Sequence, residues 1–305
     1  MLGTHALGEV VLLHYVGYGY HYRGIPFWLV SGLNRAQNNG QRLVVFFHEL
    51  WSVGPPWSSV FWLRWLQWWL VQNLSHRADR CLTSTRRMAL WLKLDAPVMT
   101  IPSSVVTTVR GAGIKVRSHP PWSVMVFGLT HTRLRTIQAH ANFLRDLNQR
   151  GALLRILVVG HAARGGADPS DDIRFLAQLV SQDKICIRAS VEENEVIGAF
   201  QEASFYLTFY PPTLAGKSSS FTTSLACGCP AVFHQGGDAR PLTAGKEFMV
   251  CDGSPLAVAR FMEEASQGKL AAVGAAGQAW YREYADWPVL VNRYAQILNP
   301  LLRSG

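Results

Sequence analysis

The residues best placed to do chemistry lie in one run, Gly216-Lys217-Ser218-Ser219, between two recognisable patterns. An apolar stretch over Phe205–Phe209 reads as a strand, and the residues after the loop read as a helix leading into a second strand at Ala231–Phe233. A lysine and two hydroxyls therefore sit at a helix N-terminus, where unpaired backbone N–H groups and the helix dipole favour an anion. A diphosphate fits that site. A Walker A loop does not, because its first glycine falls at Pro211, followed by Pro212, and neither proline has an N–H for a phosphate cradle. The plainer alternative is that the serines only cap the helix.

A second group follows the strand pattern Ser123–Phe127: a glycine turn at Gly128, then Arg133 and Arg135 at the start of a helix. Guanidinium groups there suit bidentate phosphate contacts, or they are ordinary solvated charges. Gly160 opens a glycine-rich turn after another strand. That turn is not GxGxxG, and no acidic residue follows for a ribose, which argues against an oxidoreductase. Nearer the start, His14-Tyr15 and His48-Glu49 each close an apolar strand pattern, so both histidines should emerge at strand carboxyl ends. The aromatic loop Gly17–Gly24, with Tyr18, lines an acceptor cleft or is a plain turn. No general base is identifiable.

These groups need a scaffold, and the strand patterns supply one. They run over Val10–Tyr15, Arg42–Phe47, Cys81–Ser84, Val98–Ile101, Ser123–Phe127, Leu153–Val159, Lys184–Arg188, Phe205–Phe209 and Ala231–Phe233, alternating with helical patterns. That rhythm predicts βαβ units and parallel sheets. The stretch 110–121, rich in Gly, Pro and charge, reads as a linker with a boundary near His119. The expected plan is a first domain over 1–118 with about four strands, a second over 119–285, and a terminal helix over 286–305 packing back toward the first. A helix is expected over Thr136–Gln149.

Residues 119–305 resemble the nucleotide-binding half of the family 4-like glycosyltransferases. The resemblance rests on the Phe127-Gly128 turn with its basic residues, the Val158-Val159-Gly160 strand end, the run Leu225–Val232 and the closing Trp287–Leu298 helix. Ala78–Ser84 and Thr100–Val105 resemble the end of that family's first domain. The fold implied is α/β, with two Rossmann-like domains facing a central crevice (GT-B), the first incomplete because the chain starts close to its first strand. The activity implied is transfer of a sugar from a nucleotide-diphosphate sugar, retaining and without metal or other cofactor, to a glycan or lipid-linked glycan in polysaccharide or glycolipid synthesis.

By the same resemblance His48 is the catalytic contact, and Arg133, Arg135, Gly216, Lys217, Ser218 and Ser219 bind the diphosphate. His14, Tyr18 and Glu49 line the sugar and acceptor cleft, and Gly128, Gly160, Ser190 and Thr223 lie on the nucleotide side. Many family members carry two glutamates where this chain has Ala215 and Thr223. A non-catalytic relative that binds a nucleotide sugar or a partner enzyme is the alternative.

Composition adds a surface. Residues 1–118 carry 12 Lys and Arg against 4 Asp and Glu, a balance of +8 out of +9 for all 305 residues, together with eight of the eleven tryptophans. Trp beside Arg is membrane-interface chemistry; nucleic acid, the other partner for a basic surface, finds no recognisable module here and is not expected. The helix expected over Ser58–His76 holds Trp62, Trp65, Trp68 and Trp69. It is too interrupted to span a bilayer, so it lies on an anionic membrane or belongs to the core. Five cysteines without a CxxC pair and no secretory signal point to a reduced, cytoplasmic protein, at the inner face of the membrane if it docks there.

Overall fold

The computed structural model describes residues 9–52, 54–93, 96–105, 119–160, 170–188 and 192–303. The chain divides into two compact units, Met1–Thr100 with Leu290–Gly305, and Ile101–Val289. Each is an α/β unit on an all-parallel sheet, so the fold is that of two Rossmann-like units. The boundary expected near His119 borders residues 106–118, which lie outside the described residues.

Among its described residues the first unit holds three strands in the order β1 (Val10–Tyr15), β2 (Arg42–Phe47), β3 (Arg80–Thr83). They are linked by α1 (Gly17–Tyr20), α2 (Phe27–Asn38) and α3 (Ser59–Arg77), with α4 (Arg86–Leu92) following β3. The fourth strand expected at Val98–Ile101 is only a bridge between Thr83 and Val98. Prolines at 97 and 102 flank it, and a residue without an N–H cannot extend the ladder. Period-2 alternation sends Leu13, Tyr15, Leu43, Val45 and Phe47 to one face, packed with α2, α3 and α4. Val44, Phe46 and Leu82 point to the other face, where they meet Leu290, Tyr294 and Leu298.

Helix α3 starts at Ser58, whose hydroxyl accepts from Phe61 N at 3.3 Å. Its inward positions are Gln67, Leu70, Val71 and Leu74. Its outward stripe, at i, i+3, i+4 and i+7, is Trp62 (67% exposed), Trp65 (59%), Leu66 (42%) and Trp69 (48%). These tryptophans are exposed, while Leu70, Val71 and Leu74 of the same helix lie in the core of the first unit.

Among its described residues the second unit has six strands: β4 (Trp122–Phe127), β5 (Leu153–Val159), β6 (Ile185–Arg188), β7 (Phe205–Thr208), β8 (Ala231–Phe233) and β9 (Met249–Val250). Their order is β6-β5-β4-β7-β8-β9. The chain walks from β4 to one edge and returns to β7 on the other side of β4, so strand order reverses between β4 and β7. Open α/β sheets bind ligands outside the strand carboxyl ends at that switch point. The helices are α5 (Thr130–Ala139), α6 (Ala141–Gln149), α7 (Asp171–Leu176), α8 (Glu193–Glu202), α9 (Ser219–Ala226), α10 (Pro255–Ser266) and α11 (Lys269–Tyr284). The terminal helix α12 (Trp287–Arg303) begins here and carries its later residues into the first unit.

Both sheet faces are covered, so the central strands are apolar throughout rather than alternating. The single helix expected over Thr136–Gln149 breaks at His140 (φ −98°, ψ 15°), where the buried ring donates from Nε2 to the Thr208 carbonyl at 3.0 Å. A tertiary hydrogen bond there takes precedence over helix continuity.

Candidate functional site

The switch point is built by two glycine turns and one arginine. Beyond β4, Gly128 N donates to Val159 O, and beyond β5, Gly160 N donates to Arg188 O, both at 3.1 Å. Gly160 has φ 119°, and a Cβ there would stand 2.4 Å from the Gly128 carbonyl oxygen, so only glycine fits. Arg133, expected at the diphosphate, is buried beneath these turns. Its Nη1 donates to the carbonyls of Gly128 (2.7 Å) and Gly160 (2.9 Å), its Nη2 to Thr130 Oγ1, and its Nε to buried Asp172 at 2.5 Å. A guanidinium engaged in this way clamps the turns together and has no fork to offer a ligand. Asp172 was not singled out in the sequence, because its role depends on a partner 39 residues away.

Arg135 lies on the exposed side of α5, its guanidinium 5.9 Å from the centroid of the Phe209 ring. It thus carries a positive charge from the β4 side of the switch point to the exit of β7. That exit continues through a 3-10 turn, Pro212–Lys217, into α9. Ser218 caps α9, its Oγ accepting from Phe221 N at 3.3 Å and lying 3.0 Å from Ser220 Oγ. The capping alternative therefore describes the Ser218 side chain. The amides of Ser219 and Ser220 have no acceptor among the described residues, and Lys217, Ser219 and Ser220 are half-exposed. Tyr206, buried on β7, donates its hydroxyl to Ser220 Oγ at 3.1 Å and holds it in place. Gly216 belongs to the backbone frame: its carbonyl accepts from Ile101 N at 2.8 Å.

Thr223, expected on the nucleotide side, is fully buried. Its hydroxyl donates to Ser219 O at 2.7 Å and meets Ser103 Oγ at 2.9 Å, so it faces protein rather than ligand. Ser190 and the Gly160 turn beyond its first residue lie outside the described residues. Beside this edge, His140 and His234 stand with ring centroids 5.6 Å apart. Burial pushes the His140 pKa down to about 4, and its Nδ1 and that of His234 are buried without a hydrogen-bond partner among the described residues.

In the first unit, the sheet brings His14 and His48 together. His14 is opposite Phe46 in the β1–β2 register, and His48 is two residues beyond Phe46, so all three lie on one face. His14 Nδ1 and His48 Nε2 are 2.8 Å apart, which commits that nitrogen of His48 to its neighbour rather than to a sugar. Tyr18 is exposed, and its hydroxyl accepts from Gln67 Nε2 at 3.1 Å. Gln67, buried on α3, also donates to Arg23 O and accepts from Ser52 N, and so brackets the aromatic loop. Glu49 is half-buried beside His48.

Among the described residues no helix is long and apolar enough to cross a membrane, and no three His, Cys, Asp or Glu side chains gather as metal ligands would. No family model matches the chain, and no curated protein is found as a sequence relative. Similarity appears with solved structures. A glycosyltransferase from Rickettsia africae ESF-5 matches over 97% of this chain and 78% of its own length, with a TM-score of 0.62 and 11% identity. An alpha-glucosyltransferase solved with UDP-glucose and DNA containing an abasic site matches over 95% and 80%, with a TM-score of 0.57 and 14% identity. An S. aureus TarM mutant solved with fondaparinux, alpha-GlcNAc-glycerol and UDP matches over 88% and 54%, with a TM-score of 0.59 and 9% identity. At these identities the likeness is one of fold: this chain has the two-unit Rossmann-like architecture of those glycosyltransferases.

Proposed function

We propose that the protein is a glycosyltransferase whose second unit holds the diphosphate of a nucleotide-activated sugar at the N-terminus of α9. The observation that carries this reading is the start of α9 beside the β4/β7 switch point, where the Ser219 and Ser220 amides have no acceptor among the described residues, Lys217 directly precedes the helix cap and Arg135 lies over Phe209 at the exit of β7. Amides aimed outward from a helix start and two cations would stabilise the charge that grows on a departing diphosphate. Arg133 serves by holding the Gly128 and Gly160 turns in shape. The similar alpha-glucosyltransferase and TarM structures contain UDP or UDP-glucose, which makes uridine the first base to test.

Calorimetry with UDP and GDP on the chain and on Lys217→Ala is the test. A charge-assisted phosphate contact contributes about 1.5–3 kcal/mol, so the variant should bind roughly ten- to a hundredfold more weakly. Equal affinity for both proteins would remove the assignment. Retention of anomeric configuration and independence from metal, both implied by the family resemblance, are checked by NMR of the first-formed product and by activity in excess EDTA.

The tryptophan stripe of α3 supports a lipid or membrane-associated acceptor. Phe27 of α2 meets Trp69 with ring centroids 6.2 Å apart, and Arg64 lies over the rings of Phe61 and Trp65. Neither α2 nor α3 contains a carboxylate. Aromatic rings with cations and no acid match an anionic bilayer surface. Co-sedimentation with anionic vesicles should fall with salt and fall further in Trp65→Ala plus Trp69→Ala. Equal binding to neutral vesicles, or binding to duplex DNA in place of vesicles, would overturn it.

A further inference from the structure

One buried side chain ties the loop Gly17–Gly24 to α3. Gln67, on the inward face of that helix, uses its whole amide on two loops of the first unit. Its Oε1 accepts from Ser52 N at 2.8 Å, and its Nε2 donates to Arg23 O at 2.9 Å and to the Tyr18 hydroxyl at 3.1 Å. An amide nitrogen carries two hydrogens, so both donors are engaged. Gly24, buried at φ 67°, permits the close approach: a Cβ there would stand 2.7 Å from Gln67 Nε2. The loop is thus fastened to the helix whose outward stripe is Trp62, Trp65 and Trp69.

What the loop exposes has the same chemistry as that stripe. Tyr22 is 75% exposed, with the Arg23 guanidinium 5.1 Å from its ring centroid. Tyr20 meets exposed Trp28 edge-on, with centroids 6.4 Å apart. Phe27, beside Trp28, is the residue that touches Trp69, and the chain from Tyr22 to Phe27 spans at most about 18 Å. Within residues 10–78 the only carboxylate is Glu49, whereas Arg23, Arg35, Arg64 and Arg77 lie on the loop, α2 and α3. Tyrosine and tryptophan join an apolar ring to a polar edge, which suits the headgroup level of a bilayer, and arginine pairs with phosphate. Cations without acids are complementary to an anionic bilayer.

We propose that the loop Gly17–Gly24 belongs to the membrane-contacting face of the first unit, with Tyr22 at headgroup level and Arg23 on a lipid phosphate, and that Gln67 is the residue that positions it, an inference that rests on the membrane reading of α3 above. The partner is a bilayer of anionic phospholipid rather than soluble phosphate, because exposed rings gain from binding only where an apolar interior lies beneath the charge. A loop that was free in solution would lose conformational freedom on docking. Gln67 fixes it beforehand, which keeps that cost out of the binding step.

The test is co-sedimentation of the full chain with vesicles of phosphatidylcholine alone and of phosphatidylcholine with phosphatidylglycerol, together with tryptic cleavage after Arg23. One basic residue near such a surface is worth about fivefold in affinity, so Arg23→Gln should bind the anionic vesicles about fivefold more weakly, and Tyr22→Ala should lose a similar amount. Gln67→Leu removes no exposed group, yet should lose about threefold by freeing the loop. Gln67→Glu, which keeps the bond from Ser52 N and loses that to Arg23 O, should behave alike; urea unfolding checks that both are folded. Anionic vesicles, but neither neutral vesicles nor inorganic phosphate, should protect the Arg23–Gly24 bond from trypsin.

Full binding by Tyr22→Ala and Arg23→Gln, or equal cleavage with and without anionic vesicles, overturns the loop's part and leaves the α3 reading standing if Trp65→Ala plus Trp69→Ala has lost binding. Undiminished binding by that double variant overturns the α3 reading and the loop with it. Protection by inorganic phosphate overturns the bilayer as partner. A folded Gln67 variant that binds as tightly as the parent chain overturns the positioning role.

Discussion

Two histidine pairs occur in this molecule, one at strand carboxyl ends and one formed by His140 at the α5–α6 break with His234 after β8, and they differ in what surrounds them. His14 and His48 bond to one another at an edge open to solvent. In the second unit His140 is wholly buried and spends its Nε2–H on the carbonyl that ends β7, with His234 beside it. The first pair leaves His14 Nε2 at the exposed edge, without a partner among the described residues. The second has been drawn into the frame, as Arg133 has. The residue type is the same, so burial and hydrogen-bond partner separate a ring left at the surface from one that holds the backbone still.

The comparison breaks hardest at Arg133. Arg133→Met leaves Asp172 buried without its partner and frees the Gly128 and Gly160 carbonyls, and losing one member of a buried pair costs about 3–5 kcal/mol. Urea unfolding should show that loss, with Asp172→Asn milder because an amide still accepts from Nε. Acid should then separate the histidine pairs. An unfolded histidine titrates near 6.5 and buried His140 near 4, so the unfolded chain takes up the proton first. Stability from this group is complete above about pH 6.5 and declines toward pH 4, by up to about 3 kcal/mol. His140→Gln should flatten that slope in pH-dependent melting, while His14→Gln, at an exposed site, should change it much less. Ser218→Ala removes the α9 cap and should cost about 1 kcal/mol. The smallest effect belongs to Trp65→Ala with Trp69→Ala, within about 0.5 kcal/mol in the same melts, as expected of exposed side chains.

Much of the frame was legible in the sequence. Val10–Tyr15, Arg42–Phe47, Leu153–Val159 and Ala231–Phe233 are strands with the expected bounds, because short β-rich runs between turn residues carry a local signal. β9 was missed, since two residues make no pattern. Ser58 and Ser218 could be read as caps from their place before a helix, for capping involves only the next three residues.

The sequence alone therefore determined the parallel α/β frame, the placing of His14 and His48 at strand ends and the helix start at Ser219, all of which follow from periodicity and near neighbours. Tertiary structure decided which of these groups faces solvent. Arg133 and Arg135 are two residues apart on one helix, yet Asp172 and two glycine carbonyls draw one inward while the other stays exposed over Phe209. Thr223 disappears against Ser103, 120 residues away. Trp62, Trp65 and Trp69 turn outward because Leu70, Val71 and Leu74 occupy the inward face of the same helix. In each case the deciding partner is distant along the chain, and no local pattern of residue types records where it will be.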